Sequence, residues 1–421
     1  MRVLFTTQPG NTVLNTMVPL AWALRAAGHD VRVAAKPKFA DVITQAGLTA
    51  VPVGRTHGGP DHDDDPEEPS YAAQWTVPPP FDVIERSAQD ITWEKLKSRF
   101  DADHVTWDYK AENFPLIADL VAFARQWRPD LVIWEPFCPA GAIAAAAVGA
   151  AHARLLWSVD YFGVARDLYL RVKNQQPPGD RVDHLAGWLA DYAAKYGGQF
   201  SEELVTGQVT IEQLPESLRM QADLEYVPMR YVPYGGPAVV PKWLTVPPER
   251  RRVGLTLGQS IIAERRDGYI VDLPDVLDSL SDLDIEIVAT VADKERHKLG
   301  HIPDNTRLVP YVPLHALTAT CAAVIHHAGI GTMVTTTLDG VPQLSLPWNS
   351  DQPALAHKLA EQGGGLTVPA FQATGAAVRE NLLRLLHEPS FRERAGKLRD
   401  EMLAMPTPAE VVPQLEKLAA R

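Results

Sequence analysis

The run His326-His327-Ala328-Gly329-Ile330-Gly331-Thr332 joins a strand-like segment, Ala322–His326, to a helix-like one. Its residue types suit an anion. Glycines let a backbone approach a ligand closely, and the free amides and dipole of a helix start attract negative charge. His327 and Thr332 add side-chain donors for a phosphate. A tight strand-to-helix turn with no ligand is the competing reading. The spacing is neither a Walker P-loop nor Gly-x-Gly-x-x-Gly, which argues against a P-loop NTPase and weakens a nicotinamide-dinucleotide enzyme. Farther on, Pro347-Trp348-Asn349-Ser350-Asp351-Gln352 follows another strand. A carboxylate and an amide there can hold adjacent sugar hydroxyls. The competing reading makes Asp351 the N-cap of the helix after Pro353.

The elements that position these residues read as α/β. Val3–Thr7 is a strand, Leu14, Met17, Val18, Leu20, Ala21 and Leu24 share a helix face, Gly28 ends that helix, and Val31–Ala35 returns as a strand. This βαβ unit implies a parallel sheet covered on both faces. Asp130–Trp134, an Ala-rich helix after Cys138, and Ala153–Leu156 repeat the pattern. A second half runs through strands at Arg252–Leu257, Ile285–Thr290, Arg307–Val309, Ala322–His326 and Gln343–Leu346. The expected division is a first α/β unit at 1–214, a proline-rich linker at 215–248, a second α/β unit at 249–404, and a helix at 405–421 returning to the first unit. Ligands of such sheets sit at the carboxyl ends of the strands, so two facing halves imply a cleft.

A polar insertion interrupts the first half. Six carboxylates fall within Asp61–Glu68, and Pro78-Pro79-Pro80 follows, a solvated loop. Trp75, Phe81, Trp93, Phe100 and Trp107 then suit either an apolar pocket wall or plain helix packing. His57, His62, His297 and His301 read as solvated, and His152 and Trp157 as core or acceptor-side residues.

The whole-chain quantities narrow the class. With 421 residues, 46% hydrophobic and 22% charged, the chain is a multidomain globular protein. Forty Lys and Arg against 52 Asp and Glu, net −12, argue against nucleic acid or an anionic membrane as partner. Cys138 and Cys321 lie far apart in apolar context and read as neither a disulfide framework nor a metal pair, which suits a reducing compartment. The opening MRVLFTTQPG is too short and turn-broken for a signal peptide, and no apolar run is long enough to span a bilayer. A cytoplasmic protein is the expectation.

Several separated motifs, in order, resemble the family 1 glycosyltransferases of GT-B fold. They are the His326–Thr332 run, Gly340-Val341-Pro342-Gln343, Pro347 and Asp351-Gln352. Val18-Pro19-Leu20-Ala21-Trp22-Ala23-Leu24-Arg25-Ala26-Ala27-Gly28-His29, Trp127–Pro136 and Met229-Arg230-Tyr231-Val232 resemble the actinomycete branch that attaches deoxysugars to polyketides, desosaminyltransferases included. The resemblance spans essentially the whole chain. It implies a dTDP-sugar donor on the second half and a hydrophobic aglycone on the first, with inversion at the anomeric carbon and no metal or other cofactor. His327, Gly329, Gly331 and Thr332 would cradle the pyrophosphate, and Asp351 and Gln352 would hold the sugar. Val312 would meet the thymine, with Thr256 and Ser260 near the nucleotide. Relatives in this branch often need a P450-like auxiliary protein, for which the helices around Phe81–Phe123 would be the contact; a homodimer also stays open.

One position departs from the pattern. The family carries a histidine general base in the turn after the first strand, and alignment on Val18-Pro19-Leu20 puts Val13 there. Valine has no lone pair and takes no proton. Three accounts remain. Another group serves: Glu135 or Asp160 reaching the cleft, with Asn11, Thr12 and Asn15 near but poor bases. Alternatively, the acceptor is an acidic phenol or an electron-rich ring carbon that needs no strong base, which opens C- as well as O-glycosylation. Or the site is altered, and the chain is a binding or helper protein. A sugar-nucleotide epimerase of related fold is disfavoured by the aromatic-rich insertion.

Overall fold

Four of the five residues of β1 (Arg2–Thr6) are buried, as are all four of β4 (Leu131–Trp134). A strand with parallel neighbours on both sides and helices on both faces has no wet face, so its sequence is a continuous apolar run. The computed structural model describes residues 1–55, 91–100, 105–258, 269–348 and 350–421. Within them, β1 and β4 join β2 (Asp30–Ala35), β3 (Thr49–Pro52), β5 (Ala151–Leu155), β6 (Val209–Glu212) and β7 (Tyr226–Pro228) in one sheet, ordered β3-β2-β1-β4-β5-β6-β7.

A second sheet comprises β8 (Arg251–Thr256), β9 (Ile285–Thr290), β10 (Thr306–Val309), β11 (Cys321–His326), β12 (Gln343–Ser345) and β13 (Gly365–Thr367), ordered β10-β9-β8-β11-β12-β13. All neighbours in both sheets are parallel. These are two Rossmann-like halves. In each, the strand order reverses beside the first strand: between β1 and β4, and between β8 and β11. Crevices open at such points. Register places Thr6 opposite Trp134 in one sheet and Thr256 opposite His326 in the other. The residues just beyond these pairs, Thr7-Gln8 with Glu135 and Leu257-Gly258 with His327, therefore line the two crevices.

The proline-rich stretch 215–248 is more than a linker. Its Tyr226–Pro228 segment is β7, pairing with β6 from Thr210↔Tyr226 to Glu212↔Pro228. Three residues ending in proline carry no periodic signal, and the sheet edge tolerates the missing donor of Pro228. Short strands β3, β6 and β13 are equally faint in sequence. The largest apolar cluster unites Leu214, Leu218 and Tyr231 with Ile330, Met333, Val334 and Leu355, so the halves share a core. The helix Pro408–Ala419 opens with a Thr407–Glu410 capping box and packs Val411, Val412, Leu415 and Leu418 beside Leu14, Met17 and Val18 of the helix Asn11–Ala26.

Trp93 and Phe100 pack against Tyr169 with ring centroids 5.5 and 4.7 Å away, so those two aromatics build a core. The acidic loop, the triple proline, Trp75, Phe81, His57, His62 and Ser260 lie outside the described residues, as does the Trp107 side chain.

Candidate active site

The turn after β11 is held by its first histidine. Ala328 N–H donates to His326 Nδ1 at 2.9 Å, so the ring proton is on Nε2, which donates to Gln343 Oε1 at 2.7 Å. Gln343 Nε2 in turn donates to Thr337 Oγ1 at 2.9 Å, which fixes the amide. Burial pushes the His326 imidazole down to about 3, so it stays neutral. This chain of bonds holds Ala328 at φ +65°, a left-handed conformation that costs a residue with a Cβ. Ser350 adopts φ +57° in the turn after β12. Two strained turns thus sit at the carboxyl ends of adjacent strands.

His327 points into the crevice that His326 shapes. A Cβ on Gly258, itself at φ +84°, would lie 2.7 Å from the His327 ring, and one on Gly329 would lie closer still. Only glycine fits on either side of this imidazole. His327 Nδ1 is buried and has no hydrogen-bond partner among the described residues. Burial lowers its pKa to about 4, opposed by the Thr256 backbone against the ring. A buried polar atom without a partner costs free energy; a bound anion favours the protonated ring, which then donates from that nitrogen. The helix Ile330–Leu338 starts here with Gly329 at its N-cap and no side-chain cap, so its first amides are not used by one. Thr332 lies in its first turn. Val312 is buried with Leu244 and Leu317, leaving its backbone rather than its side chain to meet a base.

Asp351 occupies the N-cap position of the helix Gln352–Gln362 without capping it. Instead its Oδ2 accepts from Ser158 Oγ, a residue of the first half. Gln352 Oε1 accepts from Trp348 N–H at 3.2 Å. Burial raises the Asp351 pKa, with the Ser158 and Ser350 hydroxyls acting against it.

On the acceptor side, Glu135 follows β4 and is fully buried. Its Oε1 accepts from Gln8 N–H at 3.2 Å, and its Oε2 from Phe137 N–H at 2.8 Å and Trp157 Nε1 at 3.3 Å. Desolvation outweighs these three donors and raises its pKa to about 7. Phe137 stacks on Trp157 at 6.0 Å and meets Phe162 edge-on at 4.9 Å, so the carboxyl stands in an aromatic box. Burial raises the Tyr161 pKa, and the charges of Asp351 and Glu135, both within electrostatic reach, add to it.

The other expected acceptor-side residues have different places. Val13 is half-buried in the first turn of Asn11–Ala26, where its carbonyl accepts from Thr16 Oγ1 at 2.7 Å. Asp160 is sealed in the structure. Its Oδ2 takes Arg154 at 2.6 Å and Tyr226 Oη at 2.8 Å and its Oδ1 takes Gly163 N–H at 2.8 Å, so, unlike Glu135, its charge is held by a buried guanidinium. We assign it a structural role. His152 accepts from Trp134 Nε1 at 3.2 Å in the core.

A model of the erythromycin biosynthesis protein CIII-like N-terminal domain matches residues 22–258, and the C-terminal-domain model of that family matches 274–418. The chain belongs to this family. A 10-deoxymethynolide desosaminyltransferase of Streptomyces venezuelae is 44% identical over 431 residues, covering 100% of this chain and 98% of the relative. An aklavinone 7-beta-L-rhodosaminyltransferase of Streptomyces galilaeus is 45% identical over 450 residues, covering 100% and 96%. The crystal structure of the glycosyltransferase VinC in complex with dTDP superposes with a TM-score of 0.88 at 38% identity, covering both chains in full. The two Rossmann-like halves are thus the GT-B fold, and the chain is a glycosyltransferase of the CIII-like family.

Sequence reasoning named most of this site but missed two parts. Ser158 is a lone serine in a turn, with no local pattern to mark it. The role of His326 emerges only when β12 brings Gln343 alongside.

Proposed function

We propose that this protein transfers a deoxysugar from a dTDP-sugar to a polyketide or other natural-product aglycone, with inversion. The observation that carries this reading is the His327 ring held between Gly258 and Gly329 at the start of a helix, with its Nδ1 buried and unpartnered among the described residues. A His327 ring protonated beside the bound anion, several amides and a helix dipole stabilise a diphosphate as negative charge grows on it. Amides and a dipole aimed at the diphosphate can neutralise the leaving group without a metal. The relatives named above, a desosaminyltransferase and a rhodosaminyltransferase, support a deoxysugar, and a dTDP-bound neighbour supports that nucleotide.

In the step itself, the acceptor attacks the anomeric carbon as the bond to the diphosphate oxygen breaks, and dTDP leaves. With an oxygen acceptor, the hydroxyl proton passes to Glu135, the buried carboxylate within the aromatic box. A pKa near 7 suits a general base at neutral pH. The box of Phe137, Trp157 and Phe162 offers flat apolar faces to an aglycone. An aromatic acceptor attacking through carbon would lose its ring proton to the same carboxylate.

Incubating the chain with a dTDP-deoxysugar and aromatic or macrolactone aglycones, with mass analysis, tests the reading. A product heavier by one anhydrosugar, with release of dTDP, is expected. Binding of neither dTDP nor aglycone would favour the helper reading, against which the preserved His327 crevice stands. A P450-like auxiliary protein is a further reading. Phe114, 66% exposed on the helix Val105–Trp127, lies in the segment expected to meet it, and full activity from the lone chain would remove the idea.

A further inference from the structure

The carboxylate of Asp351 does not offer both oxygens to a ligand. Its Oδ2 accepts from Ser158 Oγ, although the two residues belong to different halves of the molecule. Both side chains are buried, at 5% and 9% exposure. Ser158 is also fixed in place. Its neighbour Trp157 is packed in the aromatic box on Glu135, and Asp160, two residues on, is locked to Arg154 at 2.6 Å. A hydroxyl anchored on both sides is not readily pushed away by a ligand. Gln352 Oε1 is likewise engaged, by Trp348 N–H at 3.2 Å.

A free carboxylate matches a vicinal diol, with one sugar hydroxyl donating to each oxygen. The Ser350 hydroxyl also bonds this carboxylate, so protein hydroxyls take acceptor positions that a sugar diol would otherwise fill, and the carboxylate is complementary to a sugar that brings fewer hydroxyls. We propose that Ser158 is a donor-specificity residue whose hydroxyl stands in for a sugar hydroxyl on Asp351, so that the site favours a deoxysugar over a sugar with an intact diol there. This rests on the dTDP-sugar reading above. It makes the acceptor half of the molecule a reader of the donor sugar.

The test compares Ser158→Ala with the wild type in binding dTDP, dTDP-glucose and monodeoxy analogues of dTDP-glucose by calorimetry. A hydrogen bond to a charged group changes affinity by about tenfold. Freeing Oδ2 should raise dTDP-glucose affinity, relative to dTDP alone, by that factor. Affinity for dTDP itself should be unchanged, as should affinity for the analogue lacking the hydroxyl next to Oδ2. An unchanged glucose ratio, or an equal gain for every sugar, overturns the proposal. If melting shows that Ser158→Ala does not fold, the wild type decides. At least one monodeoxy analogue should then match or exceed dTDP-glucose, and a clear preference for dTDP-glucose over all of them overturns the proposal. Failure of the wild type to bind dTDP defeats the functional reading first, a result distinct from any sugar ratio.

Discussion

The Trp157 indole donates to Glu135 Oε2 at 3.3 Å, which ties the carboxylate after β4 to the aromatic wall around it. The bond keeps the carboxyl oriented while burial keeps its proton affinity high. With Val13 unable to act, Glu135 is the group in the described acceptor crevice whose chemistry fits a base.

Glu135→Gln is therefore expected to lower kcat/KM for a hydroxyl acceptor by about 100-fold or more. The wild-type profile should also carry a limb at Glu135's pKa. The carboxylate must be ionised to accept a proton, so activity rises as pH increases through about 7 and then levels. In Glu135→Gln that limb disappears. A pH–rate profile of both forms checks this, and an unchanged limb would move the base elsewhere.

Val13→His restores an imidazole to the first turn after β1. For an acidic phenol or a ring carbon, little gain is expected, because the nucleophile already has what a base would provide. A large gain with aliphatic alcohols would show that the missing base limits this enzyme. Competing acceptors assayed side by side read the difference.

Asp160→Ala is expected to act on stability. It strips a buried arginine of its partner, and such a change costs about 3–5 kcal/mol. Urea unfolding measures that cost. A fully stable Asp160→Ala with lost turnover would instead make Asp160 a chemical residue.

Much of this architecture was legible because parallel-sheet strands are apolar runs. Val3–Thr7, Asp130–Trp134 and Ile285–Thr290 stand out for that reason. The short edge strands β7 and β13 were not, since three residues flanked by proline or glycine have no period. The donor crevice was legible through its glycines, which the His327 ring requires on both sides. Its partner across the cleft was hidden: Ser158 and Asp351 meet over 193 residues of chain, and only the packing of the two halves brings them together.

Glu212, at the end of β6, gives the fold a pH dependence of its own. Burial and the nearby Asp160 charge raise its pKa to about 8, and its Oε2 has no partner among the described residues. A carboxyl whose folded pKa lies above its unfolded value stabilises the fold while protonated. That stability is lost as pH rises from the unfolded value, 4.5, through about 8. Each pH unit in that window costs up to about 1.4 kcal/mol, so Glu212→Gln should flatten the curve of unfolding free energy against pH. An equally steep curve in the variant would assign the effect to other groups, Glu135 first.

The most direct test of the account is calorimetric titration of the wild type and His327→Ala with dTDP, alongside UDP and NAD. The account predicts micromolar dTDP binding by the wild type, weaker UDP and no NAD binding. It also predicts a loss of about 30-fold or more in His327→Ala, the equivalent of about 2 kcal/mol from a charge-assisted hydrogen bond. No dTDP binding by the wild type, or equal binding by both proteins, would contradict the donor site at His327 and the glycosyl transfer built on it.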